Sequence, residues 1–516
     1  MSHSKFIDFI DTTLRDGQQS PLLFDTQKYR FTLEDKIKIA ESLITLGVSH
    51  FELFSPVVGK QEAIDNKYLM DHIRKFSSRK ITFIAHCRLH ENDIRKSLEA
   101  GFDGLNLYIG TSKSSKNHNH KMTLDEIINL AKDLLSKIRK KYPSIYLRLS
   151  AEDAFRTELD DIFKLYDATK DYVFTFGAPD TVGIADPEMV QNVISALVKR
   201  YPKHAIECHF HNDRGLAVAN TIAAVKSGAS YIDSSVWGLA ERSGITSVTA
   251  ALFNLVKYDE KLTRRYNTKD AYAVNVIMGS ILKCQVPYSE PVSLTNRTHT
   301  AGVHQKAVLG DKEVYEAHNL SNWGVDSNAL LLGPLSGWNL IFYYLREMGN
   351  YELTSDQAKE ISQIFKDNCQ QAEVLHPKTF YTPLLTNMDL SKKLCQKSMQ
   401  KKELKIYNFL DPQNRALALI IVQSYEYTPN LLTALLDKAH LPHSKFTRTQ
   451  ETWDILLPCP KQKRYFKQVS QRKFRRIRKQ KHHSCWTHHQ MEIHGKNNIC
   501  RDRRRDWTNP NTSSQR

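Results

Sequence analysis

Short apolar runs alternate with amphipathic stretches through the first half of the chain. Runs near Phe6–Leu14, His50–Phe54, Ile81–Cys87, Gly104–Gly110, Ile145–Ser150, Tyr172–Phe176, Ala205–His211 and Tyr231–Val236 predict strands. Between them lie segments such as Leu33–Leu46, Leu124–Lys140 and Pro187–Arg200, whose apolar residues recur at helical spacing. Eight such units within residues 1–280 predict an α/β fold, a (β/α)8 TIM barrel. A doubly wound open sheet is the alternative, but no G-x-G-x-x-G phosphate loop follows the first strand. Beyond residue 280 the repeat stops. Residues 281–368 predict a linker, Pro287–Pro291, and a helical subdomain with helices at Trp338–Met348 and Ser355–Asn368. Residues 369–457 predict a small extension with a strand-like run, Ala416–Val422, and a helix, Asn430–Lys438. Residues 458–516 lack any apolar period and predict a disordered tail.

The polar residues of interest fall at predicted strand ends, which in a barrel form the active-site rim. In Ile206-Glu-Cys-His-Phe-His-Asn-Asp213 the period of two puts His209 and His211 on one face. Two neutral imidazoles so placed can grip a divalent cation. Surface histidines are the plainer reading of the pair alone. The first strand, however, ends in Arg15 and Asp16, a cation and a second kind of ligand. Asp16 with His209 and His211 leaves coordination positions open, as suits a Lewis acid better than a structural ion.

Composition narrows the class. The chain has 516 residues, 41% hydrophobic and 25% charged, and no apolar run approaches the roughly 18 residues of a membrane helix. Met-Ser-His-Ser-Lys leaves no room for a signal peptide ahead of the first strand, and eight cysteines without a C-x-x-C pair point to a reducing, cytoplasmic setting. Of the net charge of +17, residues 461–516 carry +14, from seventeen Lys and Arg against three acids. The basicity therefore belongs to the tail. Arg472-Lys-Phe-Arg-Arg-Ile-Arg-Lys-Gln-Lys481 could bind nucleic acid or an anionic surface, which gives a second class of hypothesis, a nucleic-acid-binding protein built on an inactive barrel. The plain alternative is a solvated extension without function. His482, His483, Cys485, His488 and His489 match no zinc spacing.

Asp11-Thr-Thr-Leu-Arg-Asp-Gly17, the His-Phe-His-Asn-Asp run and Gly238-Leu-Ala-Glu-Arg-Ser-Gly244, in that order, resemble the DRE-TIM metallolyase superfamily. These metal-dependent barrels make or break carbon–carbon bonds next to a carboxylate. Arg88-Leu-His90, Arg148-x-Ser150-x-Glu152, Asp180-Thr-Val-Gly183, Gly244-Ile-Thr246 and Ser336-Gly-Trp-Asn339 look most like its homocitrate synthases, over about residues 6–368. The resemblance implies an acyltransferase that condenses acetyl-CoA with 2-oxoglutarate, a 2-keto dicarboxylic acid, using a divalent metal (Mg, Mn or Zn). It implies that Asp16, His209 and His211 hold the metal and that Arg15 faces the keto oxygen. His90, Arg148, Ser150 and Thr181 would contact the far carboxylate, with Gln19, Glu52 and Glu152 lining the pocket. His304 would be the general base, carried over the barrel by the partner subunit of a homodimer, and Glu207 would orient it or a metal-site water. The chain departs from the pattern at Gln18-Gln19, where Glu-Gln is usual, at Ala240 in place of glycine, and in a longer Pro21–Thr32 segment.

The chemistry supports these roles independently. A 2-keto acid chelates a metal through its keto and carboxylate oxygens, and a metal with a guanidinium can stabilise the alkoxide that forms on attack. The planar fork of Arg148 matches a carboxylate, and Ser150 shares its strand face. A structural Arg148–Glu152 ion pair is the blander reading, as is a Glu241–Arg242 pair in the last loop. Isopropylmalate, citramalate and citrate synthases are the nearest alternatives. A lyase fits less well, because Gly238–Thr246 lacks the cysteine of that group's glycine-rich loop. Deleting residues 458–516 is expected to leave keto-acid turnover intact and to weaken any salt-sensitive DNA binding, measured by thiol release and by binding at two salt concentrations.

Overall fold

The computed structural model describes residues 6–331, 333, 335–343, 346 and 354–369. Its eight parallel strands are β1 (Asp8–Asp11), β2 (His50–Phe54), β3 (Thr82–Arg88), β4 (Gly104–Gly110), β5 (Tyr146–Glu152), β6 (Thr175–Asp180), β7 (Ala205–Phe210) and β8 (Tyr231–Ser234). They close in sequence order into a barrel. Closure joins β1 to β8 in the register Asp8↔Tyr231 to Asp11↔Ser234. A helix follows each strand, as the periodicity predicts. Leu33–Leu46 and Leu124–Lys141 begin at capping boxes, Thr32 with Asp35 and Thr123 with Glu126, while Pro187–Arg200 begins at Asp186 with proline in its first turn.

Alternation along the strands sorts the core into two layers. Phe51, Leu53, Phe83, Ala85, Leu105, Leu107, Leu147, Leu149, Phe176 and Ile206 are buried in the apolar cluster between sheet and helices. The opposite face sets charged groups beside Ile10 and Ile84. Arg148 on β5 bonds both Glu52 on β2 and Asp233 on β8 although their strands are not neighbours, which is possible only across the barrel lumen. Barrel interiors are usually filled by branched apolar residues, so this lumen departs from the rule.

Two strands depart furthest from the expected bounds. β1 ends at Asp11, because the Asp11 carboxylate accepts from the Thr13 amide and hydroxyl and turns the chain. β6 begins at Thr175 and runs through Gly177-Ala-Pro179 to Asp180, four residues past the predicted end, because the weak strand formers there are paired with Glu207, Cys208 and His209 of β7. The Pro287–Pro291 segment is more than a linker. Glu290 within it is buried and accepts hydroxyl bonds from Ser247 and Thr249, which pins it to the helix Val248–Tyr258. Beyond it lie a parallel pair, Thr298–His299 with Ala329–Leu330, and the helices Gly302–Gly310, Trp338–Tyr343 and Ser355–Cys369. The first expected helix of this region therefore shows as Trp338–Tyr343, and the second matches within a residue. The expected elements of 370–457 and the tail 458–516 lie outside the described residues.

Gly177 is the tightest point of the lumen wall. A β-carbon there would collide with Ser150 Oγ and sit 2.7 Å from Glu207 Oε2. Gly177→Ala is expected to lower the unfolding free energy by about 1–3 kcal/mol, read from urea denaturation; an unchanged midpoint contradicts this packing.

Candidate metal centre at the barrel mouth

Asp16 follows β1 in a short turn, His209 lies near the end of β7, and His211 stands just past it. All three are buried, and one ligand atom from each lies within 4.8 Å of the others. His209 Nε2 is 3.3 Å from Asp16 Oδ2, and the two imidazole rings are 5.0 Å apart. His211 Nδ1 is buried without a hydrogen-bond partner among the described residues. An orphaned ring nitrogen is costly unless something else binds it. One carboxylate and two imidazoles are a donor set suited to a divalent cation, so the residues fit such an ion.

Electrostatics prepare the ligands. Burial, aided by His209, pushes the His211 imidazole down to about 3, so it is neutral and can donate a lone pair. Burial opposes the charge on Asp16, but Arg15 beside it, at 2.9 Å, holds the carboxyl below its usual range. Arg15 also donates to Glu52 Oε1 through Nε at 3.1 Å and Nη2 at 2.8 Å. A buried guanidinium therefore stands beside the cation seat, with its charge secured by two carboxylates.

The remaining expected site residues divide into three sets. Gln19 lies with Arg15 in a cavity of about 360 Å³ whose wall includes Phe54, Val57, Val58, His86, Arg88 and Tyr108. Glu52, Arg148, Ser150 and Glu207 occupy the lumen beneath the mouth. Arg148 does not pair with Glu152 there. It binds Glu52 and Asp233, with Glu207 at 3.5 Å, because those carboxylates share its strand face inside the barrel. Ser150 donates to Asn106 at 2.8 Å. Burial lifts the Glu207 carboxyl well above its usual range, and Glu207 lies in the lumen beside Arg148. Glu152 and Thr181 stand at the ends of β5 and β6, where Thr181 Oγ1 accepts from the Asp153 amide.

Two histidines lie apart from the ligands. His90 caps the helix Glu91–Glu99 by accepting from the Asn92 amide, and its side chain is 61% exposed. The alternation that would carry it into the barrel ends with β3 at Arg88. His86 occupies the inner face instead, 2.9 Å from Glu52 and stacked on Tyr108. His304 is exposed on the helix Gly302–Gly310 and stacks on Tyr315 at 3.8 Å. Arg242 does not pair with Glu241. It binds Asp213 at 2.8 Å and the Thr181 carbonyl, tying the last loop to those after β6 and β7.

Sequence reasoning missed Asp233 and His86. Asp233 Oδ2 is 3.3 Å from His209 Nδ1, and Oδ1 accepts from Arg148 Nη1 at 3.0 Å. A closed circuit results: Asp16, Arg15, Glu52, Arg148, Asp233, His209 and back to Asp16.

Fold and site together define a (β/α)8 barrel with a three-ligand cation seat and a buried arginine at its carboxyl-terminal mouth. The HMGL-like family model matches residues 6–277, more than half the chain, and the homocitrate synthase post-HMGL domain-like model matches residues 292–373. The chain belongs to the HMGL-like family. A mitochondrial homocitrate synthase of Schizosaccharomyces pombe is 34% identical over 366 residues, covering 70% of this chain and 84% of that protein. The cytosolic homocitrate synthase isozyme of Saccharomyces cerevisiae is 33% identical, covering 70% and 82%. A 2-isopropylmalate synthase of Ruminiclostridium cellulolyticum is 30% identical over 390 residues, covering 73% of each. No helix among the described residues is long and apolar enough to cross a membrane.

In metal-free protein, the His211 ring is expected to stay neutral between pH 8 and 5 in an NMR titration. The sign follows from burial: the folded pKa lies below the unfolded value near 6.5. Stability contributed by the neutral ring is therefore present above that value and lost as pH falls towards about 3. An inflection near pH 6.5 contradicts it.

Proposed function

We propose that this chain is a metal-dependent acyltransferase that condenses acetyl-CoA with a 2-keto acid, foremost 2-oxoglutarate, to give homocitrate and CoA, a step of lysine biosynthesis. The observation that carries the reading is the convergence of Asp16, His209 and His211 beside the Arg15 guanidinium. A divalent ion held there would supply Lewis-acid polarisation of the keto carbonyl. The names of its homocitrate synthase relatives support the choice of substrates.

Arg15 then has a defined task. As the acetyl carbon bonds to the keto carbon, the keto oxygen gains charge, and a guanidinium fixed in a buried position meets it without reorganisation. Water cleaves the thioester of the adduct, releasing the CoA thiol. The methyl of acetyl-CoA requires a base, and His304 is the group we assign to that proton. Its exposure, next to Val303 at 72% exposed and with Leu335 at 77% on the segment that bonds Gly302, supports a second subunit bringing it to the neighbouring barrel in a homodimer. The far carboxylate would be received by Arg148, Ser150 and Thr181, with Glu152 and Gln19 at the wall; His90 would have to turn inward to join them. Unpaired Cys87, Cys208 and Cys284 support a reducing compartment such as the cytoplasm. Phe54, Val57 and Val58 in the cavity favour a second reading, a branched 2-keto acid as in 2-isopropylmalate synthesis.

Purified protein given acetyl-CoA, manganese and a panel of 2-keto acids is expected to release free thiol, fastest with 2-oxoglutarate, and to lose this on chelation. Arg15→Gln should reduce kcat by about a hundredfold or more, by analogy with loss of one transition-state donor. Fastest release with a branched acid selects the second reading, and no release with any acid sinks both.

A further inference from the structure

The two imidazoles of the cation seat are not held alike. His211 Nδ1 has no hydrogen-bond partner among the described residues, whereas His209 Nδ1 faces Asp233 Oδ2 at 3.3 Å. Asp233 is 2% exposed and held from two sides. Its strand is locked by the register Ile10↔Asp233, and its carboxylate receives Arg148 Nη1 at 3.0 Å and Nη2 at 3.3 Å. Arg148 is in turn anchored by Glu52, whose other oxygen holds Arg15.

We infer that Asp233 is a positioning residue that fixes the tautomer and orientation of His209 as a cation ligand. The inference rests on the metal reading above and adds to it a residue that touches neither ion nor substrate. A neutral imidazole carries one N–H. Each ring nitrogen of His209 faces a carboxylate at 3.3 Å, Asp233 at Nδ1 and Asp16 at Nε2; an ion held by Asp16 would take the Nε2 lone pair, and Asp233 would then hold the ring's one proton at Nδ1. Arg148 completes the device. By clamping both Asp233 oxygens it prevents the carboxylate from rotating to the ion and becoming a ligand itself. The same guanidinium grips Glu52, so the placements of His209 and Arg15 are set by one buried cation. Asp233 faces His209 and makes no bond to His211 among the described residues, so the dependence on Asp233 belongs to His209 alone.

The test compares full-length wild type, Asp233→Asn and Asp233→Glu. Manganese affinity is measured by equilibrium dialysis, with folding followed by circular dichroism, and the His209 tautomer is read by nitrogen NMR of the zinc-loaded protein. Wild type should show an Nδ1-protonated His209. D233N should remain folded and bind manganese about 10–100-fold more weakly, the usual cost of losing such a partner. D233E keeps the charge that Arg148 needs but displaces the oxygen from Nδ1, so it should also weaken binding, and it carries the comparison if D233N melts too low to titrate. Affinity within twofold of wild type in a folded variant, or an Nε2-protonated His209 in wild type, overturns the inference. A folded wild type that binds neither manganese nor zinc instead overturns the proposed function.

Discussion

Everything at the barrel mouth depends on one buried cation in its lumen. Arg148 is fully enclosed, and a guanidinium cannot shed its charge to escape the cost of burial. Carboxylates must therefore surround it, and Glu52 and Asp233 do so from strands on other sides of the barrel. Burial alone would favour protonating Glu52, yet Arg148 and Arg15 hold it well below the usual range. Burial, with the like charges of Asp233 and Glu52, lifts the Glu207 carboxyl well above its usual range although Arg148 stands at 3.5 Å. Removing one partner of such a network typically costs about 3–5 kcal/mol, because the others are left buried and unpaired.

The network also explains how a stable scaffold can present reactive groups. The apolar face of the sheet packs against the helices and supplies the stability of the fold. The inner face is thereby released from packing duty and can carry charge. Arg15 and His209, the two residues nearest the cation seat on either side of Asp16, are each held from below by a carboxylate already fixed in this layer. Loops carry the reactive ends, and the lumen sets their positions.

Much of this was legible in the sequence because it is local. Strand and helix periodicity gives the number and order of the eight strands, and the His-x-His spacing puts two candidate ligands on one face. β6 was misplaced because its second half, Gly177-Ala-Pro179, lacks the β-branched and aromatic residues that mark a strand, and only pairing with β7 makes it one. The resemblance implies an inward His90, but β3 ends at Arg88 and the next residues begin a helix, which a motif match does not reveal. Asp233 was passed over because an acid in a strand carries no mark of its partners. Those partners lie 24 and 85 residues away in the chain, and only closure of the barrel brings them together.

That closure has a consequence for how the centre arises during synthesis. Asp16 hangs from β1, the first strand made, whereas His209 and its supporting carboxylate come from the last two. The register of β1 against β8 is the stitch that joins the two ends. A nascent chain that has not yet emerged past Ser234 therefore has no finished cradle. The three candidate ligands meet only in molecules whose barrel has shut, so their convergence reports that the fold is complete.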